Sequence, residues 1–168
     1  MTGADSTVPV RWLARQTAWA RRGHDAVLGT IRLALAGHTG QRAARSRHDA
    51  VYYRTRPPLG VTTPWEHPHV HGANMGVAAA AYLRVGGFAP LATGEDRDLV
   101  ARLSATGHRI ARTDDHPVRT AHRLRGRAPG GLADLLASLE RPTRPCDRTT
   151  LPPETAAPSP AIPYACDR

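Results

Sequence analysis

Residues 71–99 open with His71-Gly72-Ala73-Asn74-Met75-Gly76-Val77, continue through AAAAYLRVGGFAPLATG, and close with Glu95-Asp96-Arg97-Asp98-Leu99. A turn of small residues carrying one amide comes first. The spacing then predicts a short helix over Ala78 to Val85, stopped by Gly86-Gly87, and a second over Glu95 to Thr106, stopped by Gly107. In the second helix Asp96 shares a face with Leu99, Val100 and Leu103, at offsets of three, four and seven, so its carboxylate points toward the core side. Asp98 lies roughly opposite, toward solvent. An acid in a first helical turn gains ~0.3–1 kcal/mol from the helix dipole, so a capping role accounts for some acid here without function. The glycine-flanked loop GGFAPLATG, which delivers Asp96 to an inward position, favours a functional one. Glu95 and Asp96 diverge by about 100° on a helix, which suits one base with a helper better than two carboxylates facing across a bond.

Upstream, Ser6 or Thr7 is placed to cap a helix with Pro9 in its first turn, and Trp12, Leu13, Gln16, Trp19 and Ala20 recur at helical spacing before Gly23. Asp25 to Leu33 reads as a strand. Gly37 to Arg47 is polar and Arg-rich, and reads as a loop entering a short irregular helix near Tyr52 and Tyr53. Pro57, Pro58, Pro64 and Pro68 keep the chain extended up to the turn at His71. Downstream, His108 to Arg112 and Pro117 to Ala121 read as two strands, and Pro129 to Leu139 as a last helix with Leu132, Leu135, Leu136 and Leu139 on one stripe. The expectation is an α/β domain over 1–140 followed by a disordered, Pro-rich tail over 141–168, where aliphatic content all but disappears.

The 168 residues suit one domain. All 23 basic residues are Arg, against 14 acidic ones, for a formal charge of +9. Because Arg is scattered rather than striped, nucleic acid is not the expected partner, and a basic nucleic-acid-binding module stays an alternative. Cys146 and Cys166 lie far from any His pair with metal-ligand spacing, so they read as free thiols of a reducing cytosol. No stretch approaches the ~20 apolar residues of a membrane span, and the N-terminus lacks a signal-peptide pattern. The expected location is cytoplasmic, at most peripheral to a membrane, with no transmembrane segment. His67, His69 and His71 alternate and would share a face of an extended segment, as metal ligands or as a polar pocket wall. His122 follows the second strand as a metal or phosphate contact, or as an exposed edge residue.

From His71 to Thr113 the order of a G-A-N-M turn, a helix ending in G-G-F and an E-D pair opening a helix resembles the acceptor-side half of family 2 glycosyltransferases of the GT-A fold. The likeness continues through PVRTAHRLRGRAPGGLADLL and covers roughly residues 1–140. It implies a partial GT-A fold, a nucleotide-sugar donor, an unidentified acceptor hydroxyl, and transfer with inversion. Asp96 would be the general base, with Glu95 beside it. His71, Gly72, Ala73, Asn74 and Arg97 would contact substrate, the small residues allowing close approach.

The family holds a divalent metal, Mg or Mn, and the donor diphosphate with a D-x-D motif. The corresponding stretch is Gly3-Ala4-Asp5-Ser6, in which Asp5 alone is acidic, so Asp5 and His122 are the candidate metal contacts. The family's nucleotide-binding half precedes that motif. The expectation is therefore a segment upstream of Met1, or a separate chain, that supplies the donor half; an inactive remnant is the alternative.

Overall fold

The computed structural model of the chain describes residues 1–34, 39–58, 60–61, 65–126 and 129–140. Two stretches of the sequence meet as parallel neighbours at its centre. They are β2 (Ala26–Leu33) and β4 (Ile110–Thr120). The short β1 (Ser6–Thr7) pairs antiparallel with the end of β4, and β3 (Met75–Val77) pairs antiparallel with the start of β2, giving the order β1-β4-β2-β3. Among the described residues five helices accompany this mixed sheet: α1 (Trp12–Arg21), α2 (Thr39–Tyr52), α3 (Ala79–Arg84), α4 (Glu95–Ala105) and α5 (Leu132–Glu140). The α/β class expected from the sequence is what forms. The tail beyond Glu140, with Cys146 and Cys166, lies outside the described residues.

Strand parity assigns the two faces of the sheet. Ala26, Leu28 and Met75 face α3 and α4 and pack with Ala81, Leu99, Val100 and Leu103 into the apolar core. The other parity carries Gly29 and Gly76. A Cβ on Gly29 would stand 2.1 Å from Nδ2 of Asn74, and one on Gly76 2.2 Å from Oε1 of Gln16, so only glycine leaves room for the polar layer beneath α1.

The ladder between β2 and β4 is interrupted. Gly29 aligns with Thr113 and Ile31 with Val118, so one residue of β2, Thr30, faces Asp114 to Pro117 of β4. The bulge flips the parity of burial along β4 and holds Pro117 where no ladder N–H is required. That is why one strand reads as two in the sequence.

Other expectations need correction. Ser6 and Thr7 do not cap α1: they form β1, and Arg11 occupies the N-cap position without a side-chain cap. Leu13, expected on the inner stripe, is 69% exposed, while Trp12, Gln16 and Trp19 turn toward the sheet. Part of the expected Gly37–Arg47 loop is helix, because α2 runs from Thr39; residues 35–38 lie outside the described residues. Its buried stripe is Ala44, His48 and Tyr52, four residues apart, and α5, which carries buried Leu136, packs against α2. The stops at Gly23, Gly86-Gly87 and Gly107 hold, with φ near +80° at Gly23 (83°), Gly86 (79°) and Gly107 (75°). Asp25 fixes the entry into the sheet by accepting from the Arg109 N–H at 2.9 Å and pairing with His108 at 3.2 Å.

Candidate functional site

The two ends of the 71–99 stretch meet. His71 begins a single 3-10 turn, Gly72–Asn74, and Asp96 stands at the start of α4. The Gly72 N–H donates to Oδ2 of Asp96 at 2.8 Å, while the Arg97 N–H donates to its Oδ1 at 2.8 Å. A Cβ on Gly72 would lie in ordinary contact with Asp96, 3.7 Å from its Cβ, and 2.9 Å from the end of the Met1 side chain. Asp96 is half-buried, and each carboxylate oxygen keeps a second lone pair after these bonds. The group can therefore act as a clamp between turn and helix and still accept a proton from a third partner. Glu95 is half-buried and Arg97 exposed on the same first turn.

The N-terminal segment reaches the same place. A Cβ on Gly3 would stand 3.8 Å from the Ala73 Cβ, and Met75 exchanges both backbone hydrogen bonds with Met1. Asp5 accepts the Ala121 N–H at its carbonyl, 3.2 Å away, and its carboxylate pairs with Arg123 at 3.2 Å, which sets it beside His122. Thus Asp5, Ala73, Gly72 and Asp96, from three separate segments, form a chain of neighbours. It runs to the carboxyl end of β4, where β1 pairs with Thr120 and Arg119. The carboxyl ends of parallel strands are where open α/β sheets bind ligands. Among the described residues no group of three or more His, Cys, Asp or Glu stands together to hold a metal ion.

Asn74 departs from its expected role as a pocket residue. Its side chain is fully buried and all its hydrogen-bonding capacity is used within the fold. Nδ2 donates to the carbonyls of Thr30 (2.8 Å) and His116 (3.1 Å), and Oδ1 accepts from Trp12 Nε1 (2.8 Å) and Gln16 Nε2 (3.4 Å). The two carbonyls are those that the β2/β4 interruption leaves without ladder partners, so the amide substitutes for missing backbone pairing. Sequence reading missed Gln16 and His116 as members of this layer. Gln16 Nε2 lies 3.0 Å from His116 Nε2, and His116 Nδ1 binds Oδ1 of Asp115. Burial works to raise the Asp115 carboxyl, but the hydrogen bond and charge of His116 outweigh it and hold the group below the usual carboxylate range.

His67, His69 and His71 share a face as their alternation predicts, and they stack with ring centroids 5.8 and 6.1 Å apart. Tyr52 lies 3.8 Å from His69 in the same stack. Two of them turn Nε2 to backbone: His67 Nε2 reaches the Leu28 and Thr113 carbonyls, both at 3.1 Å, and His69 Nε2 the Tyr52 carbonyl at 2.7 Å. Burial lowers His67 to about 4, and burial followed by the neighbouring His69 and His48 charges lowers His71 to about 3. His71 is therefore neutral near pH 7, its Nε2 buried without a hydrogen-bond partner. Its ring belongs to the stack, not to a substrate-facing surface.

No family model, no curated protein and no solved structure matches this chain.

Proposed function

We propose that residues 1–140 act as the acceptor-side part of an inverting glycosyltransferase similar to family 2 of the GT-A type. Asp96 removes the proton from an acceptor hydroxyl. The freed oxygen attacks the anomeric carbon of a nucleotide-sugar from the face opposite the leaving group, and the nucleoside diphosphate departs with the bonding electrons. The observation that carries this reading is the 2.8 Å bond from the Gly72 N–H to Asp96, which holds a half-buried carboxylate against a turn of small residues. Asp96 needs no unusual acidity if proton transfer comes late in the reaction. By the resemblance, Asp5 and His122 would receive the donor diphosphate together with a divalent metal, Mg or Mn.

The test measures nucleoside diphosphate release from a panel of nucleotide-sugars, together with the amide resonances of Gly72 and Ala73. The assay is run on the chain alone and with a nucleotide-sugar-binding GT-A half added in trans. Asp96→Asn still accepts the Gly72 N–H but cannot take the proton, so turnover should fall by ~10²–10⁴ with donor binding retained. Near-normal turnover in Asp96→Asn, or no response of Gly72 and Ala73 to any donor, sinks the proposal.

A further inference from the structure

Between Asp5 and Asp25 the chain holds no acidic residue and four arginines, Arg11, Arg15, Arg21 and Arg22. Within this segment apolar side chains point away from the protein. Val8 is 37% exposed, Val10 fully so at 105%, and Leu13 69%. The orientation of α1 is fixed from the other side, where Trp12 and Gln16 are hydrogen-bonded to buried Asn74, so the helix cannot roll to hide Leu13. Val10 lies in the turn just before α1 and Leu13 in its first turn, and Ala14 beside Leu13 is exposed as well. Arg11 and Arg15, four apart and both exposed, flank them.

We propose that the β1–α1 connection and the outward side of α1 dock the protein on an anionic lipid bilayer. Val10 and Leu13 enter the headgroup boundary, and Arg11 and Arg15 pair with lipid phosphates. Apolar side chains set among cations match such an interface, which offers hydrocarbon below and negative charge above. A nucleic-acid backbone complements the arginines but leaves Val10 and Leu13 without partners, so the bilayer is favoured. Attachment is peripheral, since no helix among the described residues is long and apolar enough to cross a membrane. The inference stands apart from the glycosyl-transfer reading.

The test is flotation of the full chain with vesicles of phosphatidylcholine alone and of phosphatidylcholine mixed with phosphatidylglycerol. Binding is expected to the mixed vesicles only, weakening as salt rises. Val10→Ser/Leu13→Ser should weaken it about tenfold or more through lost apolar burial, with the melting temperature unchanged because both side chains are exposed. Arg11→Gln/Arg15→Gln should weaken it and flatten the salt dependence. Three results overturn the proposal. One is absence of flotation with the mixed vesicles. Another is full binding by the serine variant, whether to vesicles or, more tightly, to a DNA duplex, which assigns the affinity to diffuse charge. The last is a concentration-dependent dimer that the serine variant abolishes, which assigns the patch to a second copy of the chain.

Discussion

Two side chains plug the same interruption in the β2/β4 ladder, and they do so on different terms. Asn74 brings two donors to two stranded carbonyls and an acceptor to two side-chain N–H groups, so nothing on it is left unpaired. His67 is equally buried, but its single Nε2–H is shared between the Leu28 and Thr113 carbonyls and its Nδ1 has no partner. An amide whose capacity equals its partners is indifferent to pH and costly to remove. A half-satisfied imidazole holds the same ladder only while it stays neutral, because a second proton would have no acceptor in the interior.

The largest effect is expected from breaking the satisfied plug. Asn74→Ala strands the Thr30 and His116 carbonyls and the Trp12 indole N–H, each unpaired group costing ~1–3 kcal/mol. The sum rivals the ~5–15 kcal/mol stability of a whole domain, so the variant should show no cooperative urea transition. Gly29→Ala attacks the same amide from the strand, its Cβ arriving 2.1 Å from Nδ2, and should behave alike. A loss below ~1 kcal/mol in both would dissolve the distinction between the plugs.

His67→Ala at pH 7.5 should cost less, ~2–4 kcal/mol in urea midpoint analysis, from one shared hydrogen bond and a buried cavity. Acid sharpens the contrast further. The folded-state value of His67 is depressed to about 4 from an ordinary 6.5. Its contribution is thus intact above pH 6.5 and lost as the pH falls toward 4, where the unfolded chain binds a proton that the native one refuses. One such group gives a slope of ~1.4 kcal/mol per pH unit, and His71, depressed to about 3, adds a second that persists lower. The slope measured on wild type between pH 6 and pH 4 should fall by about one proton's worth in His67→Gln. An unchanged slope would show that His67 is not the titrating plug.

The smallest effect belongs to a polar clamp at the surface. Asp98, read from the sequence as an outward bystander, holds Arg102 at 2.6 Å, and Arg102 caps the carbonyls of Val85 and Gly87 where α3 ends. Both side chains are about a third exposed, so Asp98→Ala should cost ~0.3–1 kcal/mol, seen as a shift of a few degrees at most in melting temperature. A loss matching that of His67→Ala would mean that exposure is a poor guide to how these clamps rank.

Much of the architecture was legible. The apolar stripe Leu99-Val100-Leu103 and the glycine stops fixed α3 and α4, because helical periodicity and positive φ leave local traces. The Ala44-His48-Tyr52 stripe of α2 was there to be found at four-residue spacing, but its arginines and Gly40 disguised it as loop. The single long β4 was not legible, since its bulge exists only in relation to β2. For the candidate site, the pairing of the turn with Asp96 could be suspected from order alone. The arrival of Gly3 and Asp5 beside Ala73 and Ala121 could not, being set by β1 joining the far end of β4.

The sequence by itself determined which segments are helix or strand wherever a period ran long enough, and it placed an acid inward at the start of α4. Only the tertiary structure decided what the polar residues are for. Asn74, His67 and His71 look like ligand-facing groups in one dimension, because short-range spacing reports which face a side chain takes. It does not report which carbonyls, left unpaired by a break between strands some eighty residues apart, wait on that face.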